Sequence, residues 1–346
     1  MTSLSPGLEL RVAEVFQESP QAISIVFDVP DSGVEHFQYL PGQFLTLRVP
    51  SERDGSVARC YSLSSSPHTE DTLAVTVKRT EGGYASNWLC DNIESGMILA
   101  VLPPAGHFTP RDLDRDMVLF AAGSGITPIM SIIKSALAEG SGHITLFYAN
   151  QDSENVIFGP DLAHYAKQYS ERLDIQSWLE SEQGLPTADV VKYLCSAHRN
   201  SEFFVCGPPP FMDLVVRSAE SVNVTHDRIH REVFQSLHGN PFEVKERAKS
   251  ASAEDSAQAI VYLNGEKIEI AWPRDLGLLD ALLNEDYSPP YSCKEGSCGA
   301  CVCRLLQGDV AMLANDILVA ADIAEGERLA CQALPLTDEV TVTFDI

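Results

Sequence analysis

The sequence predicts a multidomain protein in which an antiparallel β-barrel, a parallel α/β sheet and a small α+β unit follow one another. Short alternating strands run to about residue 110, strands and helices alternate from Met117, and a cysteine-rich loop lies near the end of the chain. At 346 residues the chain is too long for one ordinary core. The predicted boundaries are 1–112 for the barrel, 113–237 for the α/β domain, 238–257 for a linker and 258–346 for the last unit.

The barrel is predicted from short strands of alternating hydrophobicity, separated by turn signals such as Pro41-Gly42 and Gly82-Gly83. The predicted strands are Leu8–Phe16, Ala22–Val29, Phe44–Val49, Leu73–Arg79 and Met97–Leu102.

The next region alternates strand and helix, which is typical of an open parallel sheet. Its predicted strands are Met117–Ala122, His143–Ala149, Leu173–Leu179, Glu202–Cys206 and Arg228–Phe234, and its predicted helices are Ile129–Ala138, Leu162–Tyr169, Asp189–Cys195 and Phe211–Ser221.

The last unit follows a charged stretch, 244–256, which has few large apolar residues and indicates a linker. A hairpin is predicted to open this unit, turning at Asn264-Gly265. A helix over Leu276–Asn284, the cysteine loop and a strand over Val340–Phe344 complete it.

Composition excludes several classes of protein. No apolar run approaches the ~20 residues that span a bilayer, and the N-terminus lacks the features of a signal peptide, so we expect a cytoplasmic protein. A net charge of −25 argues against nucleic-acid binding. Residues 258–346 alone carry a net charge of −10. That charge fits either solubility or steering toward a basic redox partner.

The cysteine loop carries the strongest chemical signal. Cys293, Cys298 and Cys301 have C-x4-C-x2-C spacing, and Cys331 follows at a distance. This is the spacing of plant-type [2Fe–2S] clusters. Zinc is the main alternative, but zinc sites usually show paired C-x2-C units. Cys303 lies nearby and is either a spare ligand or a buried core cysteine.

Two elements in the barrel region favour a flavin. In Arg59-Cys60-Tyr61-Ser62, arginine suits a phosphate, tyrosine an aromatic ring and serine a ring nitrogen. In the second element, Val77-Lys78 precedes Gly83 and the segment Ala85-Ser86, which opens a predicted helix whose N-terminus suits a pyrophosphate. Either element alone would favour an ordinary barrel strand with a glycine turn. Together, in this order, they predict a flavin site.

Two elements in the α/β region favour a nicotinamide nucleotide. Gly123 and Gly125 permit a tight turn from strand to helix, and Thr127 follows them. Cys206-Gly207 ends the fourth parallel strand, at the sheet edge where open α/β folds bind ligands.

These motifs, in this order, resemble the ferredoxin–NAD(P)⁺ reductase superfamily fused to a plant-type ferredoxin of β-grasp fold. Within it, the chain resembles the reductases that serve 3-ketosteroid 9α-hydroxylases. The segments that carry this similarity are Arg59–Pro67, Ser86–Asp91, Ala121–Glu139, Tyr148–Gly159 and Val233–Ser236.

The resemblance implies residue roles. Arg59, Tyr61 and Ser62 would bind FAD, with Lys78, Gly83 and Ser86 along its pyrophosphate. Gly123, Gly125 and Thr127 would hold the nucleotide, and Cys206 would lie near the nicotinamide. Glu232 would lie near the hydride path and Phe234 would cover the flavin. The flavin set is completed by Cys60, Val77 and Ala85, and the nucleotide set by Gly207.

The resemblance also implies a reaction: NADH reduces FAD, FAD reduces the [2Fe–2S] cluster, and the cluster reduces a terminal oxygenase of Rieske type. Gln151 and Asp152 stand where NADPH-dependent members usually carry a basic residue, which favours NADH. FMN in place of FAD and NADPH in place of NADH stay open. The reductase of another oxygenase, such as phenylacetyl-CoA epoxidase, is the alternative function. A non-catalytic redox sensor is a third hypothesis, but no segment is available for its output.

Overall fold

The computed structural model describes residues 7–30, 33–52, 55–243 and 256–345. Most of the predicted linker, 244–255, lies outside these ranges. None of the helices in them is long and apolar enough to cross a bilayer.

The first module is an antiparallel barrel with the strand order β4-β3-β6-β1-β2-β5. A bridge from Leu63 to Val75 joins the end of β4 to β5. Alternate residues such as Leu45 and Leu47 are fully buried inside, as the period of two requires. Its elements are β1 (Leu8–Ser19), β2 (Ala22–Asp28), β3 (Phe44–Ser51), β4 (Gly55–Ser62), β5 (Leu73–Lys78), α1 (Tyr84–Asn92) and β6 (Ile98–Ala105).

The second module is a parallel sheet of order β11-β10-β7-β8-β9. Its central strand is apolar throughout because both faces are covered: Leu119 packs with Ile129 on one side, and Phe120 packs with Val215 on the other. Its elements are β7 (Met117–Ala122), α2 (Ile126–Glu139), β8 (Ile144–Asn150), α3 (Gly159–Gln168), β9 (Leu173–Leu179), α4 (Glu180–Gln183), α5 (Ala188–Ala197), β10 (Glu202–Cys206), α6 (Pro209–Ser221) and β11 (Ile229–Glu232).

The third module builds a five-stranded mixed sheet around Trp272, which is fully buried and donates its indole N–H to the Leu276 carbonyl at 2.7 Å. The predicted hairpin turns at Asn264 and Gly265, both with positive φ, as a type I′ turn requires. Its elements are β12 (Ser256–Leu263), β13 (Glu266–Pro273), α7 (Leu278–Asn284), β14 (Val302–Gln307), β15 (Val310–Met312), α8 (Ala320–Ala324), β16 (Glu327–Leu329), β17 (Ala333–Pro335) and β18 (Glu339–Thr343).

The predicted fold class is confirmed in all three parts, and the structure adds strands that the sequence did not suggest. Strand β4 alternates weakly in hydrophobicity, yet it pairs with β3 over eight registered positions. Strands β15 to β17 are three residues long each, too short for a periodic signal.

The third module packs against the first. Ala58 and Leu102 of the barrel share one buried cluster with the core of the third module. Leu237 and Phe242, which follow the parallel sheet, are buried in the same cluster. The chain therefore remains packed through residues 238–243, where the sequence predicts the start of a linker.

Candidate redox site

A cavity of about 250 Å³ lies between the barrel and the parallel-sheet module. We call it the flavin cavity. It is lined by residues from β4, β5, the start of α1, the turn before α2 and the segment after β11. Ten of the predicted residues line it: Arg59, Cys60, Tyr61, Ser62, Lys78, Gly83, Ala85, Ser86, Thr127 and Phe234.

Two cations stand in the flavin cavity. The Arg59 guanidinium donates to the carbonyls of Ala58 at 2.6 Å and Leu237 at 3.4 Å. Burial lowers the pKa of Lys78, while the Asp152 carboxylate nearby raises it. Among the described residues neither side chain has an ion-pair partner within 4 Å. Cations without a carboxylate partner in a polar cavity fit a phosphate-bearing ligand.

On β4, all four residues from 59 to 62 line the cavity. On β5, strand alternation selects the lining residues: Thr76 and Lys78 are two residues apart and share the face that lines the cavity. Val77 points the other way: it is fully buried in the barrel core. Its side chain is therefore removed from the candidate site, and only its backbone could touch a ligand there.

The start of α1 is shaped for a close ligand. A Cβ on Gly83 would lie 2.9 Å from the Thr80 side chain, so the turn is too tight for a larger residue. The Ser86 hydroxyl accepts the Thr80 amide at 3.1 Å and fixes the turn. The nine-residue helix points its N-terminal amides at the cavity that holds Arg59. This arrangement favours an anionic ligand.

The predicted nucleotide loop touches the end of β10. Gly123 has a φ of +54° and lies beside the Lys78 ammonium. A Cβ on Gly125 would lie 2.1 Å from the Cys206 carbonyl oxygen, so only glycine fits there. A Cβ on Gly207 would lie 2.9 Å from the Cβ of Ala122. The structure thus brings the two predicted nucleotide elements together at the carboxyl edge of the sheet.

The two residues predicted near the nicotinamide and the hydride path lie on adjacent strands. Cys206 and Glu232 are register partners on β10 and β11. Burial raises the pKa of Glu232 to about 8 and also raises the pKa of the Cys206 thiol. Phe234 follows two residues after Glu232 and is 48% exposed. It lines the flavin cavity and also a second, larger cavity.

The second cavity, of about 550 Å³, lies between the flavin-cavity residues and the cysteine loop. We call it the gap cavity. Cys60 and Ser62 line it at one side, and Cys293 and Cys298 line it at the other. One continuous cavity therefore joins the predicted flavin and cluster residues.

The four predicted cluster cysteines form two pairs. The thiol of Cys298 hydrogen-bonds to Cys293 and lowers its pKa, as the thiol of Cys301 does for Cys331. Amide donors also face the sulfurs: the Glu295 N–H lies 3.3 Å from Cys293 Sγ. Two sulfur pairs with amide donors fit a two-iron cluster, in which each iron takes two thiolates. In the described ranges, no three His, Cys, Asp or Glu side chains are grouped for a single metal ion.

The loop that carries these cysteines is held from the side. Lys294 forms a buried ion pair with Asp280 of α7 at 3.0 Å and donates to the Glu243 carbonyl at 2.7 Å. Gly296 has a φ of +83°, and a Cβ there would lie 2.9 Å from the Ala314 carbonyl. Cys303 is fully buried in the core of the module.

Several residues near the site were not predicted. Ser124 lines the flavin cavity between the two predicted glycines, where the motif itself was the available signal. Gln235 and Ser236 also line it and directly follow Phe234. Asn150 ends β8 with a buried side-chain oxygen that has no donor among the described residues. The last three lie in segments that carry the family resemblance, Tyr148–Gly159 and Val233–Ser236, but the resemblance assigned them no role.

Each module matches a protein family. Residues 9–109 match the oxidoreductase FAD-binding domain, 119–217 the oxidoreductase NAD-binding domain, and 261–336 the 2Fe-2S iron-sulfur cluster binding domain. Over 98% of its length the chain is 50% identical to a 3-ketosteroid-9-alpha-monooxygenase ferredoxin reductase component of Rhodococcus rhodochrous, of which it covers 97%. A Mycobacterium tuberculosis protein of that description is 51% identical over 98% of this chain and 96% of its own.

The chain belongs to the family of monooxygenase ferredoxin reductase components. This reductase is therefore an oxidoreductase with FAD, NAD and [2Fe–2S] domains. A further relative, one of the subunits of the Escherichia coli 1,2-phenylacetyl-CoA epoxidase, is 34% identical over 97% of both chains. Among solved structures, phthalate dioxygenase reductase aligns over 98% of both chains with a TM-score of 0.59 at 23% identity, which shows the shared fold.

Proposed function

We propose that this reductase passes electrons from NADH through FAD and a [2Fe–2S] cluster to the Rieske-type oxygenase of a 3-ketosteroid 9α-monooxygenase. The observation that carries the proposal is the identity of 50–51%, over nearly the whole chain, to reductase components of that description from three genera. Relatives described as serving other substrates are 29–34% identical.

In this proposal each cavity has one task. In the flavin cavity, Arg59 and the N-terminus of α1 bind the FAD pyrophosphate, and Tyr61 lies against the ring. Cys206 and Glu232, which are register partners, would lie beside the nicotinamide, and Phe234 would lie between the nicotinamide and the flavin. Bound FAD supplies the step that the chain itself lacks, since it accepts two electrons as hydride and releases them singly.

The cluster position is assigned to Cys293, Cys298, Cys301 and Cys331. The first pair faces the gap cavity, so that electrons enter from the flavin side. The gap cavity separates the proposed cluster position from Cys60 and Ser62 without an intervening layer of core side chains.

We propose NADH as the donor because the end of β8 is acidic. Asp152 accepts hydrogen bonds from the amide and side chain of Asn155, at 3.0 Å and 2.9 Å, and these hold its carboxylate at the loop after β8. A 2′-phosphate near this carboxylate would be repelled. A basic residue is absent from the stretch Tyr148–Asn155.

The alternative function is that of the reductase in a phenylacetyl-CoA epoxidase, which the relative at 34% identity supports. The two functions share the same path inside this chain and differ in the oxygenase that receives the electrons.

One reconstitution separates them. The purified reductase is combined with the oxygenase of a 3-ketosteroid 9α-monooxygenase or with phenylacetyl-CoA epoxidase, using NADH and NADPH in parallel. We expect NADH-dependent 9α-hydroxylation of a 3-ketosteroid and little epoxidation. Epoxidation without hydroxylation would support the alternative, and equal rates with NADPH would contradict the donor assignment. The Cys298→Ser variant serves as the control that lacks a cluster ligand.

A further inference from the structure

A narrow contact joins the barrel to the cysteine loop. His107 follows β6, and its Nε2 lies 2.9 Å from the Gly299 carbonyl oxygen. A carbonyl only accepts hydrogen bonds, so Nε2 carries the proton and donates. Gly299 lies between the second and third cluster cysteines with a φ of +72°. A Cβ on it would lie 2.4 Å from His107 Cδ2, so the imidazole occupies the space that any side chain there would need.

A second contact lies at the other end of the same loop. The hydroxyls of Thr46 and Ser292 are 2.6 Å apart, and both residues are buried. Ser292 immediately precedes Cys293. The Thr46 hydroxyl also lies 3.5 Å from the sulfur of Cys60. Cys60 precedes Tyr61 on β4, and both line the flavin cavity. The two contacts therefore hold the loop at both ends of its flavin-facing sulfur pair.

A third contact comes from the segment after β11. The Glu295 carboxylate accepts the backbone amides of His238, at 2.7 Å, and Gly239. These amides are protected only while the cysteine loop stays against the other two modules. They are thus a local reporter of the contact.

We propose that His107 is a positioning residue that seats the cluster loop against the flavin barrel and thereby sets the rate of electron transfer from flavin to cluster. The inference rests on the proposed function, because it concerns the step between the two cofactors. The donated hydrogen bond fixes the loop backbone between two cluster ligands. Because Gly299 has no side chain, the His107 imidazole of the barrel module can contact the loop backbone directly.

The chain offers matched variants. His107→Ala removes the donor, and His107→Gln keeps one. Gly299→Ala introduces the clash, and the double variant H107A/G299A removes what the new methyl group would strike. Gly265→Ala is the control for backbone strain, since Gly265 has a φ of +78° with nothing within 4 Å of its Cβ position. His143→Ala, in the parallel-sheet module, is the control for loss of a histidine.

The first measurement is hydrogen exchange at His238 and Gly239 in the holoprotein. We expect exchange to be about two- to tenfold faster in His107→Ala, the range set by one net hydrogen bond. His107→Gln should restore most of the protection, and both controls should match the wild type. Unchanged exchange in both His107→Ala and Gly299→Ala would overturn the proposal.

The second measurement is anaerobic stopped-flow reduction by NADH, with flavin and cluster absorbance followed separately. In His107→Ala we expect flavin reduction at the wild-type rate. Cluster reduction should be slowed by at least the factor by which hydrogen exchange is accelerated. Gly299→Ala should be slower still, and the double variant should recover to the rate of His107→Ala. A double variant as slow as Gly299→Ala, with an altered cluster EPR spectrum, would locate the defect in the loop itself and overturn the proposal. Absence of NADH-driven flavin reduction in the wild type would instead refute the proposed function.

Discussion

The reductase has two meeting surfaces, and they are built in opposite ways. Between the barrel and the parallel sheet lies a polar cavity with two cations, Arg59 and Lys78, that lack carboxylate partners among the described residues. Between the barrel and the cysteine loop, the protein's own atoms touch, through His107 with Gly299 and Thr46 with Ser292. The first surface leaves its two cations without a carboxylate partner, and the second pairs polar groups of the two modules with each other.

This difference follows the chemistry that each surface is proposed to serve. NADH must enter and NAD⁺ must leave beside the flavin, and a cavity at that surface suits ligands that exchange in each turnover. The cluster is a resident group, and its distance from the flavin must be constant between turnovers. A contact built from backbone carbonyls and buried hydroxyls supplies that constancy.

The largest effect is expected when a cluster ligand is removed from the cysteine loop. Cys298→Ser should abolish cytochrome c reduction while NADH still bleaches the flavin, because only the second transfer needs the cluster. Cys303→Ala is the matched control, since that buried thiol lies in the module core. Equal loss of both reactions in Cys298→Ser would contradict the assignment.

The next largest effect concerns the ion pair that holds the cysteine loop. Lys294→Met leaves Asp280, which is only 7% exposed, without its cation, and this should destabilise the third module by about 3–5 kcal/mol. Lys267→Met breaks an exposed, solvent-screened pair with Glu269 and should leave the unfolding midpoint close to that of the wild type. Urea unfolding followed by cluster absorbance measures both. Equal midpoints would show that the loop is not held by this pair.

The flavin cavity is tested by removing the guanidinium of Arg59. Arg59→Met should raise the Kd for FAD about 10- to 100-fold, because a hydrogen bond to a charged group contributes about 1.5–3 kcal/mol. Flavin fluorescence during titration of the apoprotein gives this constant. Arg11→Met, which removes an exposed arginine from the same barrel, should leave FAD affinity unchanged. An unaltered Kd in Arg59→Met would remove Arg59 from the flavin site.

A pH-dependent effect is expected from Glu232, whose pKa burial raises to about 8. The folded protein then binds a proton that the unfolded chain releases above its ordinary pKa near 4.5. Stability should therefore fall as pH rises from about 5 to 8, by less than about 1.4 kcal/mol per pH unit. Glu232→Gln, which resembles the protonated form, should flatten this part of the profile. An unchanged profile would show that Glu232 is already ionised near neutral pH.

The order of the modules and most flavin-side residues could be predicted from sequence. Arg59, Tyr61 and Ser62 lie in one short motif, and the period of two places Arg59 and Tyr61 on one face. The spacing of the cysteines likewise predicted a shared site, and the structure brings Cys293 together with Cys298.

Contacts between modules could not be predicted in this way. His107 and Gly299 are 192 positions apart, and no local pattern distinguishes either from an ordinary turn residue. Strand alternation also shows why Val77 faces the core although its neighbour Lys78 faces the flavin cavity. A sequence motif alone does not show which of its residues lie on the cavity face of a strand and which lie on the core face.

The central claim is that NADH, flavin and cluster positions form one path within one chain. Anaerobic reduction by NADH at several protein concentrations tests it most directly, with the cluster followed by EPR. We predict that flavin reduction precedes cluster reduction, and that the rate constant for the cluster is independent of protein concentration. A rate that rises in proportion to concentration would mean that electrons pass between molecules, and would contradict the path across the gap cavity.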